Sequence, residues 1–171
     1  NIGIIYYEQK KYSEAIQSAK KALEIRESIK DTAGLASSYN NISNIYSESG
    51  DIPQGLKYQL LSLQMREYMQ DKRGISMSYN NLGNIYRLSH DLTKAKEFQL
   101  KSLEMAKALG SRELLKNSYE SLITLSKDMK DYERAFLYHN ELALIKDSLL
   151  NTETSKQIAE MQTKYETEKK D

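Results

Sequence analysis

The sequence predicts an all-α fold in which antiparallel helix pairs stack into an elongated α-solenoid. Three observations carry that expectation. Aligned without a gap, residues 35–74 and 75–114 are identical at fourteen positions, so the chain repeats itself every forty residues. Residue types that cap a helix N-terminus recur on the same period: Asp51, Asp91 and Asp131 in one series, Asp31, Asp71, Ser111 and Asn151 in the other. Between these caps apolar residues fall at helical spacing, and seven Gly and one Pro are few breakers for 171 residues. A unit of this length buries its apolar face only against its neighbours, so the repeats form one array over 1–151 rather than separate globular domains.

The first unit, 1–31, enters partway through the pattern, with Ile2, Gly3 and Tyr6 on its first helix and Ala15, Ala19 and Ala22 on its second. Such a start, without an initiator Met, is expected of a piece of a longer chain. The second unit, 32–71, carries Ser-Tyr-Asn-Asn at 38–41 and Asn-Ile-Tyr at 44–46; Pro53 falls in a first helical turn, where its missing N–H costs little. The third, 72–111, repeats both strings at 78–81 and 84–86. Its apolar stripe runs through Met77, Tyr79, Leu82, Ile85 and Tyr86, then Leu92, Ala95, Phe98, Leu103 and Ala106. In the fourth, 112–151, Ile123 stands in a small-residue place, Ser126 in a tyrosine place and Leu142 in a small place of the second helix, an altered surface suited to the end of a solenoid. Residues 152–171 read as one more helix, capping the array or linking it onward, with Ile158, Met161 and Tyr165 on one stripe.

Small residues mark where helix backbones should meet. Gly3, Ser43 and Gly83 lie midway in first helices, and Ala15, Gly55, Ala95 and Ala135 early in second ones. Glycine inside a helix costs about 1 kcal/mol against alanine, which close backbone contact would offset. Thirteen Tyr beside two Phe and no Trp supply large aromatic knobs, Tyr46 and Tyr86 among them, whose hydroxyls reach a groove or water.

Composition narrows the function. A formal charge of +1 gives no bulk pull toward nucleic acid or anionic membrane. Without cysteine there are no disulfides or thiolate metal sites, and no apolar run reaches the roughly 18–20 residues of a membrane span. His90 in a turn and His139 on a second helix have no partner at ligand or catalytic spacing. No phosphate loop or nucleophile motif appears. No catalytic, cofactor or metal residue is therefore assigned, and the chain is expected not to be an enzyme.

The pattern resembles the tetratricopeptide repeat. The family's large residue, Leu-Gly and Tyr of the first helix correspond to Tyr79, Leu82-Gly83 and Tyr86, and the small–aromatic–small places of the second helix to Ala95, Phe98 or Gln99, and Ser102. The first repeat matches with Ile2-Gly3, Tyr6, Ala15, Ala19 and Ala22, and the second with Tyr39, Ile42-Ser43, Tyr46, Gly55 and Ser62. The resemblance implies a right-handed superhelix of about 3.5–4 repeats, of the branch whose units exceed the usual length of about 34 residues. It also implies a concave groove lined by first helices. The groove-facing residues would be Met77, Asn80, Asn84 and Arg87, with Ser37, Asn40, Asn44 and Ser47 before them and Asn117, Glu120, Thr124 and Lys127 after.

Asn40/Asn44 and Asn80/Asn84 are i,i+4 pairs, each sharing one helix face. An asparagine ladder offers donor and acceptor together, as a peptide backbone does, so it could grip an extended chain of any sequence. The places where related arrays clamp a C-terminal carboxylate carry Ser37, Asn40, Met77 and Asn80 here, with no lysine, so no such clamp is expected. The tail from Ile158 to Lys170 resembles the segment that follows such arrays in Bacteroidetes-type sensor proteins, ahead of a membrane helix and a histidine kinase or helix-turn-helix output. That resemblance implies the extracytoplasmic sensory or protein-interaction region of a membrane-bound signal transducer. A freestanding cytoplasmic adaptor holding a peptide or partner helix is the alternative. Dimerisation through the array or the C-terminal helix stays open in both.

Overall fold

The computed structural model describes residues 2–147. Helices α1 (Ile2–Glu8), α2 (Tyr12–Ser28), α3 (Thr32–Glu48), α4 (Ile52–Tyr68), α5 (Lys72–Leu88), α6 (Leu92–Ala108) and α7 (Arg112–Asp128) are followed by a helical stretch over 132–147, here α8. No strand occurs among the described residues. Each helix packs on the next, and α5 also touches α3 and α7, so first helices form a row of their own. This is the expected solenoid of antiparallel pairs. Asn151 and the helix expected over 152–171 lie outside the described residues.

The regularity comes from the joints. Helices α2 to α7 are each 17 residues long. At every joint one residue takes a left-handed conformation: Lys10, Lys30, Gly50, Gln70, His90, Gly110 and Lys130, twenty apart. The N–H of the following residue then reaches back to a carbonyl in the last turn, as Asp71 does to Arg66 at 2.9 Å, closing a Schellman motif. That same residue caps the next helix. The side chains of Asp31, Asp51, Asp71, Asp91, Ser111 and Asp131 each accept a backbone N–H three residues on, as expected. Lys11 before α2 makes no such bond.

Close backbone approach holds each pair together. A methyl group on Gly83 would lie 3.1 Å from the Ala95 carbonyl oxygen and 3.2 Å from the Gln99 nitrogen. In the second repeat Ser43 Oγ instead donates to the Gly55 carbonyl at 2.8 Å. Beside this seam, an aromatic ring from the second helix sits against two tyrosines of the first. Tyr58 contacts Tyr39 and stacks on Tyr46 with centroids 5.6 Å apart; Phe98 contacts Tyr79 and stacks on Tyr86 at 5.4 Å. Tyr46 and Tyr86 are thus inter-helix knobs, but half-buried ones.

Between pairs the core is polar and small. Ser62 Oγ donates to the Ala36 carbonyl, Ser102 Oγ to the Ser76 carbonyl, and Ser102 and Ser118 hydroxyls meet at 3.0 Å. An arginine in the last turn of the second helix crosses each of the first two joints. Arg26 Nη1 donates to the Gly34 carbonyl and Ser38 Oγ, and Arg66 Nη1 to the Gly74 carbonyl and Ser78 Oγ. At the third joint the pair becomes Ala106 and Leu114, both buried. The fourth repeat goes further toward an apolar core: Ile123 and Leu142, the departures from the small-residue pattern, pack together with Leu103, Tyr119 and Leu122.

Candidate functional site

Between α5 and α7 lies an open cleft of about 430 Å³. From α5 it is lined by Asn80, Asn84 and Arg87, spaced i, i+4 and i+7 along one face; from α7 come Asn117, Glu120, Ser121 and Thr124, again one face. Its charges are paired within the fold. Arg87 Nη1 stands 2.9 Å from Asp128 Oδ2, and Lys146 Nζ of α8 3.4 Å from Glu120 Oε1. What remains toward the cleft is a set of amides and hydroxyls. These hydrogen-bond; none is a nucleophile held against a base.

Two polar atoms of this lining are incompletely served. Asn80 Oδ1 and Arg87 Nε are both buried without a hydrogen-bond partner, one an acceptor and one a donor. The repeat frame explains the first. One unit earlier Asn40 Oδ1 accepts from Asn81 Nδ2 at 2.8 Å, a bond between neighbouring first helices. Asn80 would need the same donor at position 121, where Ser121 is too short to supply it. The substitution also removes the bulk of an asparagine from the cleft.

Of the eight candidate residues, Asn80, Asn84, Arg87 and Glu120 come together here. Asn84 Oδ1 already accepts from Gln99 Nε2 at 3.2 Å. Asn40 is held by Asn81, and Asn44 lines a different hollow, toward α2. Met77 is 40 % exposed on α5 and Lys127 exposed near the end of α7, both outside the cleft lining. Ser47, expected in the groove, is buried instead: its hydroxyl donates back to the Ser43 carbonyl at 2.8 Å and lies where a Cβ on Gly55 would be. Asn117 and Thr124 do line the cleft. Ser121 is the residue that sequence reasoning missed; its signal is that the frame places it on Asn41 and Asn81. His90 and His139 are exposed and apart from the cleft.

A family model described as tetratricopeptide repeat matches residues 1–68 and, overlapping them, 34–108, together more than half of the chain. No curated protein matches. Among solved structures the chain is similar to BtubC (BKLC) from P. vanneervenii, with a TM-score of 0.74 and 17% identity over 86% of this chain and 61% of that one. It is also similar to the apo form of RapI, with a TM-score of 0.73 and 22% identity over 86% of this chain and 41% of that one. The chain thus spans less than two thirds of either structure. At these identities the likeness is one of fold alone.

Proposed function

We propose that this chain, which belongs to the tetratricopeptide repeat family, takes an extended peptide into the cleft between α5 and α7. The repeats make it a protein-interaction scaffold. The peptide reading rests on the unpartnered pair in the cleft, Asn80 Oδ1 and Arg87 Nε. A buried polar atom without a partner costs about 1–3 kcal/mol, and a small rotation of each side chain toward a ligand would recover it. A peptide backbone supplies the complement, an N–H for the asparagine oxygen and a C=O for the guanidinium. With its ion pairs internal, the cleft grips main chain rather than a charged side chain.

Peptides selected from a randomised display library against the whole chain test this reading. Asn80→Ala with Arg87→Ala should weaken the selected peptides at least tenfold, and Asn40→Ala, whose partner is Asn81, should not. Equal affinity in the Asn80/Arg87 variant would move the site off this cleft.

The array is further proposed to be the sensory region of a membrane-bound bacterial signal transducer, lying outside the cytoplasm. The support is the tail sequence from Ile158 to Lys170, which lies outside the described residues. No helix among those described is long and apolar enough to cross a membrane, so this reading requires a span elsewhere. Reading the gene past Asp171 decides it. About 20 apolar residues followed by a kinase or DNA-binding pattern would support it, and a stop codon or further repeats would sink it.

A further inference from the structure

Along the groove, α5 departs at two places from the first helices on either side of it. Met77 and Leu88 are 40 % and 43 % exposed. In the forty-residue frame the register of Met77 carries Ser37 on α3 and Asn117 on α7, and that of Leu88 carries Glu48 and Asp128; all four are exposed. Of these three helices only α5 is apolar at either register. The core asks for neither side chain, since both stand in solvent. Contact between neighbouring first helices does not ask for Leu88 either. Glu48 accepts from Tyr7 and Asp128 from Arg87, each forty-one positions back, but the residue forty-one before Leu88 is Ser47, whose hydroxyl turns onto its own helix. A single exposed apolar residue would need no explanation. These two share one helix face with Asn84, at i, i+7 and i+11. They also bracket the cleft, Met77 coming one turn before Asn80 and Leu88 directly after Arg87.

We propose that the ligand of the cleft is a peptide with two large apolar side chains about four to six residues apart, one seated on Met77 and the other on Leu88. The proposal rests on the peptide-binding reading and adds a sequence preference to it. Eleven residues of helix separate the two contacts, about 16 Å at the helical rise. An extended peptide advances about 3.3 Å per residue and covers that distance in about five. The reach of the side chains allows one residue either way. Between the two anchors the peptide main chain passes Asn80 and Arg87. Each anchor removes apolar surface from water on both partners, and the unbranched thioether of Met77 adapts to whichever apolar residue arrives. A charged residue gains nothing beside Leu88, because Arg87 and Asp128 already pair at 2.9 Å.

The probe is a displayed library of fully randomised decapeptides, selected in parallel against the whole chain and against Met77→Ser with Leu88→Gln. Both substitutions fall on exposed positions and leave the core alone, so the variant should melt with the parent. On the parent chain, apolar pairs four to six residues apart should be enriched over apolar pairs at shorter spacings. On the variant that excess should vanish, and peptides selected on the parent should bind it roughly tenfold more weakly. No excess at that spacing, or an equal excess on the variant, would overturn the proposal, and the first of these comparisons needs no variant at all. Selected peptides that lose affinity with Asn80→Ala and Arg87→Ala yet carry no such pair would refute these anchors while the cleft reading stands. Peptides indifferent to both variants would refute the two together.

Discussion

The arginine that crosses the joint between the second and third repeats has a built-in replacement, and exchanging the two is a demanding test of the packing. Arg66 is buried, donating at 2.8 Å to the Gly74 carbonyl and at 2.9 Å to Ser78 Oγ. Burial lowers its pKa below the ordinary arginine value and the nearby Asp71 opposes that shift, so the guanidinium stays charged at neutral pH. Arg66→Ala removes two charge-assisted bonds, strands the buried Ser78 hydroxyl and empties the space of the side-chain stem. Release of the guanidinium from a desolvated site offsets part of this, leaving a loss of about 3 kcal/mol. Gly74→Leu alone also destabilises, by about 1–3 kcal/mol, since its Cβ would stand 2.7 Å from Arg66 Cδ. The same Cβ would press on the Asp71 carboxylate, but Asp91 caps α6 with a lysine at the corresponding place, so that carboxylate can turn aside. Together the two changes rebuild the third joint, where Ala106 faces a Leu114 that is 3 % exposed above Ser118. The double variant should therefore recover at least about 2 kcal/mol relative to the sum of the singles, within the range seen for directly touching residues. Urea unfolding followed by circular dichroism, with calorimetry beside it, measures all four corners of the cycle. Additive losses would refute the equivalence of the two joints.

Further outcomes follow from particular residues. His90→Gly and Gln70→Gly should each raise stability by up to about 1 kcal/mol, because both residues hold a positive φ that favours glycine; a fall in melting temperature would show that their side chains matter more than their backbone. Tyr86→Ala should cost about 2 kcal/mol, less than a fully buried aromatic, since it loses its stack on Phe98 but is already half solvated; an unchanged midpoint would remove it from the pair interface. Burial first, and then the hydrogen bond to Glu48, raise the pKa of the Tyr7 phenol above the ordinary tyrosine value of about 10. Above that pH the unfolded chain releases its proton before the folded one does, so stability present below it declines as the pH climbs. Tyr7→Phe should make the decline shallower; an equal slope would show that Tyr7 does not carry it.

Much of this architecture was legible because its signals are chemical types on a fixed period. An aspartate every twenty or forty residues reads directly as a cap, and Gly83 opposite Ala95 reads as close approach. The left-handed joint residues were not legible, because five of the seven are Lys, Gln or His, which announce no turn; they are held there by the Schellman bonds around them. The same limit governed the candidate site. Asn40 and Asn80 sit in identical strings, Ser-Tyr-Asn-Asn, and look interchangeable. Their fates differ because each looks to a residue forty-one positions on, and only the geometry of neighbouring first helices supplies that offset. Ser47 misled for a similar reason, since a short hydroxyl at a groove register folds back onto its own helix where an arginine at the same register reaches out. The cleft opens where one repeat lacks a side chain its neighbour keeps, Ser121 standing in the place of Asn81. In a backbone this regular, the intact repeat states which chemical group is missing: the amide donor that Asn81 gives Asn40 and that Asn80 lacks.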